Sequence, residues 1–445
     1  MEGEEQQRVK TTSQWVSHVE HLLDAGGNPS EEEARRWRRQ TVYRVPAYIK
    51  HRTSYGAPQL VSLGPFHHGV PELRPAEEHK ERALLHLLRR GGGGGDGRRL
   101  RLGSLVASME EVVVELQDAY QGLGATKWRD DRDGFLKMMV LDGCFLLEVM
   151  RAAAEAAQGD GDGEGVGGGY AANDPVFSRH GELYVFPYVR RDMLMIENQL
   201  PLLVLQRIVA FVHGGAAPEA SDDAINNMVL SFVSMIPDPP AMRGGGGLAL
   251  HPLDVCHRSL LYGSPPRPCH TGRREEFVPS ATELDQAGVR FRPSRTRSLH
   301  DISFRHGALR IPRLAVDDTT EHKLFSLMAF EQLHGAGANE VTAYVFFMDN
   351  VIKSGDDARL LGASGVVSNG LGSDEAVAVH GEVNAYRRDG WRASLVRNHA
   401  GNPWAIVSLV VAFVLLVLTV LQTVYTVLPY YQEQAAAGEA ALREL

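Results

Sequence analysis

Cysteine is scarce in this chain: 445 residues carry three, Cys144, Cys256 and Cys269. So small and odd a number cannot staple a chain of this length, which excludes a disulfide framework and suits a reducing compartment. Positive charge is in deficit as well, 46 Lys and Arg against 55 Asp and Glu, for a net charge of −9. No global positive field exists to hold a phosphate backbone, so nucleic acid is not expected as a partner. A phosphate-cradling glycine loop followed by Lys-Ser/Thr is missing, as are a nucleophile elbow, a zinc-protease helix and a paired Cys-x-x-Cys. The single Asn-x-Ser/Thr triplet, Asn28-Pro29-Ser30, is blocked by its proline. The first ten residues, MEGEEQQRVK, are acidic and carry no apolar stretch, so no signal peptide is expected. What remains is ordinary for a globular protein, 44% hydrophobic and 23% charged, which excludes a wholly disordered, collagenous or polytopic membrane chain.

Long apolar runs are also absent, with one exception. Ala405 to Leu428 reads AIVSLVVAFVLLVLTVLQTVYTVL without a charge. About 24 residues at ~1.5 Å rise give roughly 36 Å, enough to cross a ~30 Å hydrocarbon core. Trp404 stands at its start and Tyr425, Tyr430 and Tyr431 near its end, where interfacial aromatic anchors belong. A buried core helix is the rival reading, but core helices rarely run this far without a charge. Arg387, Arg388, Arg392 and Arg397 precede the run, whereas Glu433, Glu439 and Glu444 follow it. The basic flank predicts a single-pass membrane protein with its large N-terminal part cytosolic and a short tail outside, inserted after translation as tail-anchored proteins are.

The remainder reads as mainly α, with a few short strands at most. Trp15, Val16, Val19, Leu22 and Leu23 recur at helical spacing, and Ser30 with Glu33 forms a capping box opening a helix through Arg39. Pro46, Pro58 and Pro65 make residues 42–69 extended or looped. Helices are predicted over Pro75 to Arg90, Leu105 to Gln121 and Phe135 to about Ala157, then from Asp192 with Pro201 setting a start or kink. Leu183 to Pro187 reads as a short strand. Leu324 to Leu333 and Val341 to Ile352 read as helices, although Thr342 to Phe347 is β-branched and aromatic enough for a strand. Glycine concentrates near 91–97, 159–169 and 244–247, which marks three surface insertions. The expected organisation is a helical extension over 1–40, a soluble domain over 41–400, a transmembrane helix over 404–428 and a tail over 429–445.

Residues with chemical potential are few. Asp160, Asp162 and Glu164 before Gly165 mimic a calcium loop, but Ala171 occupies the twelfth position, where a bidentate Glu is needed. Cys256-His257 and Cys269-His270 are soft ligand pairs, yet adjacent side chains diverge, which makes convergence on one zinc awkward. No metal or cofactor is therefore expected. His67-His68, after Gly64-Pro65-Phe66, suits either acid–base chemistry or a hydrogen-bonded loop, the second being the simpler reading. Glu197-Asn198-Gln199 beside Leu200-Pro201 lie in an apolar stretch and must be hydrogen-bonded if buried; satisfying backbone amides where Pro201 opens a helix turn is the natural use. The arginine clusters Arg35, Arg36, Arg38, Arg39 and Arg290, Arg292, Arg295, Arg297 read as solvated surface, with anionic lipid headgroups as the functional rival.

Several of these segments together resemble a plant-specific family known only as domain of unknown function 247. The pieces stand in the family's order: Val42-Tyr43-Arg44-Val45-Pro46; Val61 through Gly64-Pro65-Phe66-His67-His68-Gly69, with Leu73 and Lys80; Leu141-Asp142-Gly143-Cys144-Phe145; Asp192 through Glu197-Asn198-Gln199-Leu200-Pro201. Then follow His251 to Asp254 with His257, Ala281 to Leu284, Leu309 to Pro312, Met328 to Gln332, and Asn402-Pro403-Trp404-Ala405 leading into the apolar run. Ser326 stands where the family commonly shows Asn. The resemblance implies one family unit with a C-terminal anchor and no established activity. Some grass members look like pollen-side determinants of self-incompatibility, which implies recognition or signalling through a protein partner. The expectation is thus a membrane-anchored, non-enzymatic recognition module. Its alternatives are an enzyme using His67, His68 and Glu197, helped by Asp142 or Glu148, and a peripheral lipid-binding protein.

Overall fold

The structure, a computed structural model, describes residues 16–17, 19–21, 29–50, 56–90, 100–157, 169–214, 218–234, 246–263, 278–317, 319–334 and 339–369. The apolar run Ala405 to Leu428, its flanks and tail, the acidic triplet Asp160, Asp162 and Glu164, Cys269-His270 and most of the three glycine-rich stretches lie outside them. Among the described residues no helix is long and apolar enough to cross a membrane.

The described part is mainly helical. In chain order, α1 is Pro29–Arg39, α2 Ala47–Lys50, α3 Pro75–Arg90, α4 Leu102–Glu110, α5 Val113–Asp118, α6 Arg132–Ala157, α7 Arg179–Tyr184 and α8 Phe186–Met193. They are followed by α9 Leu202–His213, α10 Asp222–Val233, α11 Pro252–Leu260 and α12 Ala281–Gln286. Four strands come next: β1 Arg290–Pro293, β2 Ser303–Arg305, β3 Ala308–Ile311 and β4 Leu314–Val316. The order closes with α13 Thr320–His334, α14 Glu340–Val351, α15 Gly355–Ala363 and β5 Val367–Asn369.

The 26-residue α6 is the axis of the first core. Fifteen of its residues are buried, including Phe135, Met139, Phe145, Leu146 and Val149, so its middle is apolar nearly all round, as an enclosed stretch of helix must be. α3 packs along one side of α6 and α9 along another. Gly143 makes the α9 contact possible: a Cβ there would lie 2.5 Å from Ile208 Cδ1 and 2.8 Å from Val204 Cγ1. A second core gathers Phe291, Leu309, Ile311, Val316, Tyr344, Met348, Leu361 and Val367. It unites α12, α14 and α15 with a three-stranded sheet of order β1-β3-β2 and the parallel pair β4-β5.

Several expectations need correction. The Leu105 to Gln121 helix breaks into α4 and α5 at Val112 (φ −115°, ψ 7°), where three β-branched valines in succession crowd the backbone. Leu183 to Pro187 is the junction of two helices that meet at Val185, not a strand. Ser178 caps α7 by accepting the Gly181 amide at 3.3 Å, and Pro187 sits in the first turn of α8, where its missing N–H costs nothing. Glycine is required at 181 because a Cβ would run into the Val176 carbonyl. The helix expected from Asp192 instead ends there, and the next begins only at Leu202 after Pro201. Thr342 to Phe347 is helical within α14, in line with the helix expected over Val341 to Ile352, whereas α1 starts at Pro29, ahead of the expected cap. Within 42–69, α2 is a short helical interruption.

Candidate functional site

Between α8 and α9 the chain makes a tight turn, and its polar side chains all point inward. Asp192, Asn198 and Gln199 have no exposed surface, and Glu197 is buried as well. Burial of such groups is tolerable only when each donor and acceptor is paired. What pairs them is backbone, most of it from distant parts of the chain. Asp192 accepts the amides of Gln59 (3.0 Å), Leu60 (2.7 Å) and Val61 (3.0 Å). Burial pushes its carboxyl pKa up, against the pull of these three amides and of Arg191. Asn198 accepts the Leu63 amide at 2.7 Å and donates to the Val61 and Asp192 carbonyls, both at 3.0 Å. Its amide thereby substitutes for a neighbouring strand along residues 61–63. Gln199 accepts the Leu253 amide (3.0 Å) and donates to the Met193 (2.7 Å) and Met195 (2.6 Å) carbonyls. Glu197 accepts the Val45 amide at 2.8 Å.

The Gly-Pro-Phe-His-His loop rests on this turn. Gly64 has φ +72°, and its amide donates to Asp142 at 2.7 Å. A Cβ at this position would stand 2.7 Å from the Tyr120 hydroxyl and 2.9 Å from the Gln199 carbonyl. Left-handed backbone and close approach both demand glycine here. Gly64→Ala is expected to destabilise the domain by about 2–3 kcal/mol, through strain and overpacking; a chemical denaturation midpoint unchanged by the substitution would contradict this. Phe66 meets Tyr120 edge-on (5.6 Å between centroids) under the Arg44 guanidinium at 4.4 Å, and His68 meets Trp128 edge-on at 5.1 Å.

Beneath the loop lies a charged centre. Lys80 is fully buried in the α3 stripe of Ala76, Lys80, Ala83 and Leu87. Its ammonium donates to the Ser62 carbonyl (2.7 Å) and Glu77 (2.6 Å) and forms an ion pair with Asp142 (2.7 Å). Burial works to strip a proton from Lys80, but the carboxylates of Asp142 and Glu77 outweigh it and hold the pKa above the ordinary lysine value. Farther along α6, Glu148 is held by Arg90, by Arg151 (3.1 Å) and by the Tyr170 hydroxyl (3.0 Å). Burial would raise its pKa, but these cations bring it below the usual carboxylate range.

A second polar knot joins the two cores. His251 is fully buried and caps α11: its Nδ1 accepts the Asp254 amide at 3.2 Å, while Nε2 lies 3.0 Å from the Thr41 carbonyl. Only a neutral ring protonated at Nε2 satisfies both partners. Glu331 receives His257 Nε2 (3.0 Å), the Val341 and Thr342 amides (2.8 and 2.9 Å) and the Thr342 hydroxyl (2.6 Å). It thus ties α13 to the start of α14.

Of the residues considered for catalysis the structure brings two together. His67 Nε2 lies 3.8 Å from Glu197 Oε2, so these two do converge. Asp142 faces Lys80 and Gly64 instead, and Glu148 faces its arginines; neither joins them. Cys144 is fully buried and its thiol is pushed up, away from the thiolate, so it is a packing residue. Cys256 is buried, and His257 beside it is engaged by Glu331. Among the described residues no His, Cys, Asp and Glu group could hold a metal. Glu197, Asn198 and Gln199 do satisfy backbone amides, but those of residues 45, 63 and 253 and not the helix turn at Pro201. The amide of Leu202, the first residue of α9, is taken by the Leu250 carbonyl at 3.0 Å. Lys80 and His251 appeared in the sequence only as motif members. For Lys80 a signal existed: a lysine standing in an apolar stripe of helical spacing must be paired.

Fold and site together define a mainly helical domain in which a looped segment is clamped by buried polar residues of two helices and one turn. Residues 42–418 match the model of a family described as plant protein of unknown function (DUF247), and the chain belongs to that family. It is similar to the UPF0481 protein At3g47200 of Arabidopsis thaliana, 25% identical over 90% of this chain and 89% of the relative. It is also similar to the putative UPF0481 protein At3g02645 of the same plant, 23% identical over 94% of this chain and 95% of the relative. No solved structure matches the chain.

Proposed function

We propose that the protein is a non-enzymatic recognition or signalling module, held at a membrane by the apolar run from Ala405 to Leu428, with its helical domain in the cytosol. One observation carries the non-enzymatic reading: five of the buried motif residues are each tied to backbone of another segment. Asp142, Asp192, Glu197, Asn198 and Gln199 each hold amides or carbonyls of segments far away in sequence. A carboxylate so engaged builds a shape, whereas catalysis needs a group aimed at a reacting atom. Support for the anchor is the length, lack of charge and basic flank of that run. A rigid helical domain on a tether is well suited to presenting a surface to a protein partner.

Two measurements test the reading on the whole chain. Glycosylation acceptors placed near Met1 and after Leu445, translated with microsomes, are expected to receive sugar only at the C-terminal position. Sugar at the N-terminal acceptor alone would reverse the orientation, and extraction of the chain by carbonate would remove the anchor. In plants lacking the gene, His67→Gln/Glu197→Gln is expected to restore function, because Gln still accepts the Val45 amide. Leu415→Arg/Leu416→Arg, which breaks the apolar run, is expected to fail. A folded, membrane-bound His67→Gln/Glu197→Gln protein that does not restore function would point to catalysis.

A further inference from the structure

Residues 288–313 run against the charge of the whole molecule. This stretch holds seven arginines and one acid, Asp301, in a chain of net charge −9. The sheet register sorts them. On one face β1 and β3 align Phe291 with Leu309 and Pro293 with Ile311, and Phe291, Leu309 and Ile311 enter the second core. The opposite face therefore carries Arg290 and Arg292 on β1, Ala308 and Arg310 on β3, and Ser303 and Arg305 on β2. Arg292 stands directly opposite Arg310, a like-charged pair, and Arg290 and Arg305 flank Ala308 from either side.

With strands about 4.8 Å apart, four guanidiniums share a patch roughly 10 Å across. Arg290, Arg292 and Arg305 are exposed and Arg310 is half-buried. Among the described residues none of the four has a carboxylate partner. Asp301, the one acid of this stretch, is occupied by the Thr296 amide (3.1 Å) and hydroxyl (2.8 Å). Like charges facing one another across a ladder destabilise it, unless an anion lies over them. Nothing in the packing of this sheet needs arginine at four outward positions.

We propose that this face of the β1-β3-β2 sheet docks on the anionic phospholipid headgroups of the membrane that holds the chain, an inference that rests on the anchor reading above. A further observation favours lipid as the occupant. β4 begins three residues after β3 and pairs in parallel with β5, whose Asn369 is the last described residue, so the sequence between the domain and the apolar run is short. The intervening 370–404 segment can span up to about 120 Å when extended, so the tether permits contact at the bilayer surface. Guanidiniums pair phosphate oxygens in bidentate fashion, and a cytosolic leaflet supplies phosphates at high density.

The test uses the full chain, reconstituted through its own apolar run, with a fluorophore on Ser303→Cys in a Cys269→Ser background. Proteoliposomes of phosphatidylcholine, with or without phosphatidylserine, carry a headgroup nitroxide quencher. Quenching is expected only with phosphatidylserine, and it is expected to disappear at high salt and in Arg290→Gln/Arg292→Gln/Arg305→Gln/Arg310→Gln. The corresponding Lys variant should retain it. Equal quenching in neutral vesicles, or quenching untouched by salt, would overturn the proposal, and the salt arm needs no variant to fold. A chain that survives a carbonate wash yet shows no lipid-dependent quenching overturns the sheet assignment and leaves the anchor standing. A chain washed off by carbonate overturns both. Binding of a phosphorylated peptide that depends on these arginines, without lipid-dependent quenching, would assign the face to a protein partner.

Discussion

Lys80→Met is expected to lower the thermal midpoint of the domain by on the order of 10 °C. Its ammonium is the common partner of Ser62, Glu77 and Asp142, and Asp142 is almost wholly enclosed. Removing one member of a buried pair typically costs about 3–5 kcal/mol, because the other charge stays behind unpaired. In a domain of this size each kcal/mol is worth roughly 2–4 °C. A second substitution isolates the cause. Asp142→Asn removes the stranded charge, while its oxygen still accepts the Gly64 amide. Lys80→Met/Asp142→Asn is therefore expected to be more stable than Lys80→Met alone by about 1–3 kcal/mol. If the double variant is no better than the single one, the ion pair is not what Lys80 contributes. With a raised folded-state pKa, this contribution is complete at neutral pH and is lost only as pH rises past the ordinary lysine value toward the folded one.

The second large effect is a loss of stability in mild acid, centred on His251. Burial lowers its pKa to about 4, outweighing the attraction of Asp254 and the hydrogen bond to the Thr41 carbonyl, while His334 and Arg258 repel the charged ring. The folded form therefore binds fewer protons than the unfolded chain between the two pKa values. Its contribution is complete above about pH 6.5 and is lost as pH falls through that window toward 4. The difference corresponds to on the order of 3 kcal/mol. A structural reason accompanies the number: a second proton must occupy Nδ1, the atom that caps α11 by accepting the Asp254 amide. His79, His86, His322 and His334 are also lowered by burial and act with the same sign. His251→Asn isolates the buried cap, since Asn accepts an N-cap amide without titrating. Denaturant midpoints measured between pH 7 and 4.5 are expected to fall less steeply for His251→Asn than for the wild type. Parallel slopes would remove His251 from the account.

Much was determined by local pattern alone. The periodicity of Pro75 to Arg90 and of Phe135 to Ala157 specified α3 and α6, because the interior of a helical domain accepts one stripe or one fully apolar helix and little else. The family motifs specified membership. The apolar length of Ala405 to Leu428 and its arginine flank rest on sequence alone, since they lie outside the described residues. Other outcomes needed the third dimension. Leu183 to Pro187 has strand composition, yet a Ser178 cap and a proline in a first turn make it the junction of two helices, and neither shows in a short apolar run. Glu197, Asn198 and Gln199 were legible as buried polar groups needing partners; that the partners are residues 45, 61, 63 and 253 was not. Hydrogen bonds across more than fifty residues leave no periodic trace in sequence. The arginines of residues 290–310 show the same division. Their number was plain in the sequence, but strand register alone decided that Arg290, Arg292, Arg305 and Arg310 share one face, because a shift of one residue would have sent half of them into the core.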